Sequence, residues 1–245
     1  LAGNDPGRPI LSFIDDERFL DDAAVNPSLA VLLVSPVLAE TARAAVADNV
    51  LVIVVDDPRW HFYALQNELA RRAQGATAPS EVSPSASIHP SAVIDPVGVW
   101  IGPHVVVEAN ATVLRSSRIH EGAVIRAGAV IGTMGFEHKR TSRGVLSVEH
   151  DGEAVIGPRS EVGSQTVVAR GFARRHTTIG ADCRLDCNVM IAHGAHLGDR
   201  VFVAAGATIA GSGDIGDDVW IGPGATLIDR VAVGEGARVG IGSVV

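Results

Sequence analysis

The chain has 245 residues, of which 47% are hydrophobic and only 4% aromatic, and its formal net charge is −8. A negative charge without a run of Lys or Arg argues against nucleic acid as a partner. The apolar stretches are too short to span a bilayer and no signal peptide is visible, so we expect no membrane span and a cytoplasmic protein. Two cysteines, Cys183 and Cys187, give no disulfide framework and only a weak metal signal, and we predict neither a metal nor a bound cofactor.

Residues 1–78 have the pattern of a small α/β domain. Segments 30–34 and 50–55 are predicted as buried strands, and 36–47 has the Ala-rich spacing of a helix. Asp57 followed by Pro58 supplies an N-cap and a proline at the first helical position, so a second helix is predicted from there to about residue 72. A linker rich in Ala, Ser, Pro and Gly follows.

From residue 79 the dominant pattern is an aliphatic residue at every sixth position. A six-residue period predicts a parallel β-helix, in which three short strands form a coil and one aliphatic side chain per hexad points inward. Glycine often follows the inward residue, where we expect turns that need glycine's backbone freedom. Hexads of this kind are typical of the left-handed parallel β-helix, which we predict for residues 79–245. The unbroken part of the series is Ile179, Leu185, Ile191, Leu197, Val203, Ile209, Ile215, Ile221, Leu227, Val233, Val239 and Val245.

Two insertions interrupt the hexads. The first, 133–153, is long and polar, and the second, 169–178, is shorter and rich in arginine. Loops longer than about 12 residues in a compact domain are usually functional or disordered. We therefore predict that the first insertion is built to cover a site, with a tolerated insertion as the alternative.

The residue His193, two positions after the inward Ile191, is the candidate general base. Imidazole titrates near neutrality and can take a proton from an amine or hydroxyl as acyl transfer begins. One coil later stands Gly211, whose backbone N–H is able to approach a developing oxyanion closely. This spacing predicts an acyl-transfer pair on adjacent coils, against the alternative of a surface histidine without a function.

Three aromatic residues within four positions are notable in a chain so poor in them: Trp60, Phe62 and Tyr63. They are explained equally by packing of the helix onto the strands or by an exposed ring that stacks on a nucleobase.

On these residues the chain resembles the UDP-3-O-acylglucosamine N-acyltransferases of the lipid A pathway and related hexapeptide-repeat acyltransferases of nucleotide sugars. The likeness rests on the N-terminal segment through Asp56-Asp57-Pro58, on 131–137, and on Ile191-Ala192-His193 with the coil that follows. It implies a homotrimer that moves an acyl group to the amine of a UDP-linked amino sugar. The donor would be the phosphopantetheine thioester of acyl carrier protein, or a CoA thioester.

The resemblance also implies roles for individual residues. His193 would be the general base, Gly211 would offer its amide to the tetrahedral intermediate, and Asp186 would orient the histidine. The residues implied in substrate binding are Asp57, Trp60, Phe62, Phe136 and Asn188, of which Trp60 and Phe62 would contact the uracil.

Three alternatives remain open from the sequence. One is a short-chain sugar N- or O-acyltransferase that uses acetyl-CoA outside lipid A synthesis. Another is a zinc enzyme of the γ-carbonic anhydrase type, which needs three histidines around an open zinc position across a subunit interface; His193, His196 and His176 are the candidates. The last is a non-catalytic β-helix scaffold.

Overall fold

The computed structural model describes residues 9–75, 78–173 and 175–245, and the chain divides into two compact units. The first unit contains the residues up to Arg71 together with Glu137–Glu149, and the second contains Arg72–Phe136 and His150–Val245. The sequence placed the boundary at residue 78 and left the whole first insertion with the coil. The contacts instead join the middle of that insertion to the N-terminal unit.

The first unit is built on a three-stranded parallel sheet with the strand Leu29–Val34 in the centre. The last strand of this sheet is an edge strand whose Leu51 is 59% exposed, so the prediction that it is buried is wrong, although its position is right. None of the helices in the described ranges has both the length and the apolar character needed to cross a bilayer. The strands are Ile10–Ile14, Leu29–Val34 and Leu51–Val54; the helices are Leu20–Ala24, Ala39–Ala45 and Pro58–Gly75, with 3-10 turns at Glu17–Phe19 and Pro36–Leu38.

The second unit is a parallel β-helix in which successive hexads contribute to three sheets, here called the first, second and third faces. The first face contains Glu81–Val82, Val99–Ile101, Ser117–Ile119, Ala154–Ile156, Thr177–Ile179, His196–Leu197, Asp214–Ile215 and Ala232–Val233. The second face contains Ser87–Ile88, Val106–Val107, Val124–Ile125, Glu161–Val162, Arg184–Leu185, Phe202–Val203, Trp220–Ile221 and Arg238–Val239. The third face contains Val93–Ile94, Thr112–Val113, Val130–Thr133, Val167–Ala169, Met190–Ile191, Thr208–Ile209 and Thr226–Leu227.

The inward aliphatic residues form the core of the β-helix, as the six-residue period predicts. From Ile179 to Leu227 every member of the series is at most 2% exposed. Ile191 is paired with Ile209 one coil later, and Ile209 with Leu227. Each such side chain contributes about 1.5–3 kcal/mol through burial, so the column accounts for much of the stability of the unit.

The glycines that follow the inward residues have a different role from the expected one. Of these glycines only Gly132 has a positive φ. In the other turns the left-handed conformation falls two residues after the position of these glycines. That position is often taken by a residue other than glycine, such as Asn188 with φ 58°. A Cβ on Gly157 would lie 2.4 Å from the carbonyl oxygen of Gly180 on the next coil. Glycine is therefore required there because neighbouring coils approach closely, and not because of its backbone freedom.

Both insertions leave the coil at one corner, where the third face turns into the first; we call it the His193 corner. The first insertion connects Val130–Thr133 to Ala154–Ile156, and the second connects Val167–Ala169 to Thr177–Ile179. His193 follows the next third-face strand, Met190–Ile191. Three successive coils therefore bring both insertions and His193 to the same edge of the β-helix.

The first insertion also contains secondary structure that the sequence does not reveal. His138–Thr141 and Gly144–Ser147 pair as an antiparallel hairpin, which belongs to the first unit. We call it the insertion hairpin.

Candidate active site

The imidazole of His193 lies between two glycine backbones at the His193 corner. A Cβ on Gly135, at the start of the first insertion, would lie 2.8 Å from Cδ2 of His193. A Cβ on Gly211, one coil later, would lie 2.7 Å from Cε1 and 3.0 Å from Nε2. Real Cβ atoms do not approach other atoms this closely, so any larger residue at either position would displace the ring.

Two further rings complete the surroundings of His193, and the sequence did not identify either as a site residue. His150, from the first insertion, is 1% exposed, and its ring centroid is 5.6 Å from that of His193 in an edge-to-face arrangement. Phe172, from the second insertion, lies 5.0 Å from His193 and 5.3 Å from His150. The N–H of Gly135 donates to Nε2 of His150 over 3.2 Å, so this nitrogen is the acceptor in that hydrogen bond.

The structure brings His193 and Gly211 together, as their spacing of one coil predicts. The Gly211 N–H donates a 2.7 Å hydrogen bond to Oδ1 of Asp229, a residue of the following coil. The amide that the sequence assigns to the oxyanion is thus already bound to a negatively charged oxygen. Asp229 was not among the predicted site residues.

Asp186 and Asn188 do not lie at the His193 corner. They follow the second-face strand Arg184–Leu185 and form the turn into the third face, so another corner of the coil carries them. Oδ1 of Asp186 accepts from the N–H of Cys187 over 2.7 Å, and Asn188 has the left-handed conformation of the turn. Within one chain Asp186 therefore does not lie beside His193, and the orienting role implied for it stays a prediction; Asn188 has a turn-forming role.

An open cleft of about 410 Å³ lies at the second face beside Asp186. Its walls include the outward side chains of Arg184, Phe202 and Trp220, and it also borders Cys187. The other cysteine, Cys183, is buried in the core. This cleft is distinct from the His193 corner.

In the first unit, Asp57 is buried and both of its carboxylate oxygens are used. Oδ1 accepts from the N–H of Trp60 over 2.8 Å, which is the predicted N-cap of the helix Pro58–Gly75. Oδ2 accepts from the N–H of Ser142, in the turn of the insertion hairpin, over 2.6 Å. Burial alone would raise the pKa of Asp57, but these hydrogen bonds outweigh it and hold the pKa below its ordinary value.

One face of Trp60, a residue implied in uracil contact, is covered. The guanidinium of Arg143, in the insertion hairpin, lies 3.9 Å from the centroid of the Trp60 ring, a cation–π contact. Nη2 of Arg143 is 3.0 Å from Oδ2 of Asp56, and this hydrogen bond is the main cause that lowers the pKa of Asp56. A base that stacks on this face of Trp60 has to displace Arg143 or stack on its guanidinium.

The other two predicted aromatic residues differ from each other. Phe62 packs on Phe13 of the strand Ile10–Ile14, with ring centroids 5.1 Å apart, so the structure gives it the packing role. Phe136 follows Gly135 and is 87% exposed.

A second anchor of the insertion hairpin is the buried Asn67. Its Nδ2 donates to the carbonyl of Ser147 over 2.8 Å, and its Oδ1 accepts from the N–H of Glu149 over 2.7 Å. The side-chain amide thereby satisfies backbone groups that no strand partner reaches. Asp57 and Asn67 together fix the turn and the end of the hairpin.

Within residues 9–75, 78–173 and 175–245, no three His, Cys, Asp or Glu side chains are grouped so that they could hold a metal ion.

The comparison that decides the repeat class is a match to the bacterial transferase hexapeptide family (six repeats) over residues 98–133 and 176–211. The chain contains hexapeptide repeats of this family over those residues. The likeness to the N-acyltransferases is also confirmed. The UDP-3-O-acylglucosamine N-acyltransferase of Cupriavidus metallidurans is 30% identical over 237 residues, 82% of this chain and 63% of the relative. That of Bordetella pertussis is 28% identical over 245 residues, 86% of this chain and 65% of the relative. The hexapeptide-repeat protein thus spans slightly less than two thirds of the length of these two curated relatives.

Solved structures agree with the fold. A UDP-N-acetylglucosamine acyltransferase from Campylobacter jejuni matches with a TM-score of 0.53 and 27% identity, over 64% of this chain and 66% of its own. The UDP-N-acetylglucosamine O-acyltransferase from Moraxella catarrhalis matches with a TM-score of 0.55 and 25% identity, over 68% of this chain and 65% of its own. The predicted class, a left-handed parallel β-helix with a small N-terminal α/β region, is confirmed.

Proposed function

We propose that this hexapeptide-repeat protein is an acyltransferase that moves an acyl group from a thioester to the amine of a UDP-linked amino sugar. The observation that carries the proposal is the position of His193, whose Nε2 is beside the backbone of Gly211 at a corner where His150 and Phe172, from the two insertions, contact its ring. The names of the relatives, UDP-3-O-acylglucosamine N-acyltransferases, support the class of acceptor.

In this proposal His193 removes a proton from the attacking amine as the C–N bond forms. The Gly211 N–H then donates a hydrogen bond to the tetrahedral oxyanion. Its 2.7 Å hydrogen bond to the carboxylate of Asp229 supports this role, because the carboxylate oxygen has the charge and the distance of an oxyanion. Protonated His193 finally gives its proton to the thiolate as the C–S bond breaks.

The remaining parts of the proposal concern partners. The donor is the phosphopantetheine thioester of acyl carrier protein or a CoA thioester, and no bound cofactor is required. The first unit binds the uridine part of the substrate at Trp60, and Asp57 supports this residue by capping its helix. The functional form is a cytoplasmic homotrimer.

The test is an acyl-transfer assay with UDP-3-O-acylglucosamine and three donors: a long-chain acyl carrier protein, the matching acyl-CoA and acetyl-CoA. Thiol release and the mass of the sugar product are measured together. We expect an acylated amine with one donor, and the identity of that donor separates the long-chain activity from the short-chain alternative. A β-helix scaffold would give no product with any donor, and UDP-sugars would not raise its melting temperature.

A further inference from the structure

The carboxylate of Asp229 is a charged group at the His193 corner to which the proposed mechanism gives no task of its own. Asp229 follows the third-face strand Thr226–Leu227, which pairs with Thr208–Ile209 one coil below. The residue is exposed, and its Oδ1 accepts from the Gly211 N–H over 2.7 Å. One carboxylate oxygen is thus held by the backbone while the residue stays accessible to a ligand.

The base and this carboxylate border the same small space. A Cβ on Gly211 would lie 3.0 Å from Nε2 of His193 and 3.2 Å from Oδ1 of Asp229. An acceptor atom that reaches the base therefore comes close to a negative charge.

An amine acceptor and a hydroxyl acceptor differ in charge at this point. An amine with a pKa of about 8 is largely protonated at neutral pH, whereas a sugar hydroxyl is uncharged. A carboxylate binds an ammonium through charge-assisted hydrogen bonds, which are stronger than those between neutral groups. We propose that Asp229 is the specificity-determining residue that binds the ammonium form of the acceptor beside His193; this inference rests on the proposed acyl transfer.

The proton count follows from an ammonium acceptor. One proton leaves the bound ammonium for solvent and generates the free amine. As the amine attacks the thioester carbonyl and the C–N bond forms, a second proton passes to Nε2 of His193. The C–S bond then breaks, and the thiolate takes that proton, so the products are an amide, a thiol and one proton in solution.

The hydrogen bond between Gly211 and Asp229 adds an order to these events. The Asp229 carboxylate and the oxyanion of the intermediate cannot both occupy the single Gly211 N–H. The hydrogen bond between Gly211 and Asp229 therefore opens before the oxyanion takes the amide.

The experiment uses Asp229→Asn, which keeps an oxygen acceptor for the Gly211 N–H and removes only the charge. The matched control is Glu235→Gln, which removes an exposed negative charge in the turn after the first-face strand Ala232–Val233. UDP-3-O-acylglucosamine is the acceptor, and UDP-3-O-acylglucose, with a hydroxyl in place of the amine, is the competitive inhibitor.

We expect Asp229→Asn to raise KM for the amine acceptor about ten- to a hundredfold, because the variant loses a charged hydrogen bond to the acceptor. The value of kcat should change less than about threefold. The inhibition constant of the hydroxyl analogue should stay the same in the variant, and Glu235→Gln should leave both constants unchanged. An unchanged KM, or an equal loss of affinity for amine and hydroxyl ligands, would overturn the role of Asp229. Absence of any acyl transfer by the unaltered protein would instead overturn the proposed function, and this inference with it.

Discussion

The rings of His150 and His193 meet edge to face with their centroids 5.6 Å apart, although His150 belongs to an insertion and His193 to a regular hexad. They meet because the chain leaves and rejoins the β-helix at the His193 corner. Phe172 of the second insertion lies on another side, 5.0 Å from His193. Three successive coils thus supply the surroundings of one imidazole, and this arrangement leads to specific expectations.

Replacing His193 by alanine should remove the general base and lower kcat/KM for acyl transfer about 10²- to 10⁴-fold, the usual contribution of a positioned base. The matched control is His196→Ala, an exposed histidine of the first-face strand His196–Leu197. The thioester assay should show the loss in the first variant alone. Equal losses in both variants would contradict the assignment of the base.

Replacing Gly211 by alanine should displace the His193 ring, since the new Cβ would lie 2.7 Å from Cε1. We expect activity to fall at least about tenfold while the β-helix stays folded, because the clash involves a side chain at a corner. The control is Gly234→Ala, where a Cβ meets nothing within 4 Å. Activity and melting temperature are measured for both, and a fully active Gly211→Ala protein would show that the ring has room to move.

Replacing Asp57 by alanine should destabilise the first unit by about 1–2 kcal/mol at pH 7, since it removes an N-cap and the acceptor for the Ser142 N–H. The pKa of Asp57 is lower in the folded protein than its ordinary value of 3.8. Its stabilisation is therefore complete above that ordinary value and is lost as the pH falls through the folded pKa.

Urea unfolding at pH 7 and at pH 3 measures this effect, with Asp48→Ala, at an exposed loop position, as the control. The difference in unfolding free energy between Asp57→Ala and the unaltered protein should be smaller at pH 3. A difference that grows on acidification would contradict the sign of the pKa shift.

The two cysteines should differ in reactivity towards a maleimide in the native protein. Cys183 is buried, and burial raises the pKa of its thiol, so little thiolate forms. Cys187 is half-buried at the edge of the second-face cleft. Mass spectrometry should find one label per native chain, at Cys187, and two after denaturation. Rapid native labelling of Cys183 would mean that the core opens.

The hexad pattern was sufficient to predict the β-helix and the contact between His193 and Gly211. With a fixed period, residues that are three hexads apart in the sequence lie at the same position on adjacent coils. The same period separates Asp186 from His193 within one chain. Asp186 follows the inward Leu185 of the second face, whereas His193 follows the inward Ile191 of the third face. Residues at different phases of the period stand at different corners.

The positions of the side chains in the two insertions could not be predicted from the six-residue period. His150 and Phe172 have no periodic relation to His193, and their positions depend on how irregular segments fold back. The only available signal was that both insertions begin after an inward residue of the same face, at Ile131 and Val168. Likewise, the cation–π contact between Arg143 and Trp60 depends on a hairpin that carries no hexad.

The shared exit corner of the two insertions has a consequence for how such a protein can change. Each insertion starts at the end of a third-face strand and ends at the start of the next first-face strand, and all four of these strands are paired within their own faces, so the two ends of each insertion are fixed whatever its length. Lengthening a loop between fixed ends costs little entropy, about 0.6 kcal/mol for each doubling. Insertions of other lengths and sequences can therefore replace the segments around His193. Substrate preference can then diverge while the register of the coil stays constant.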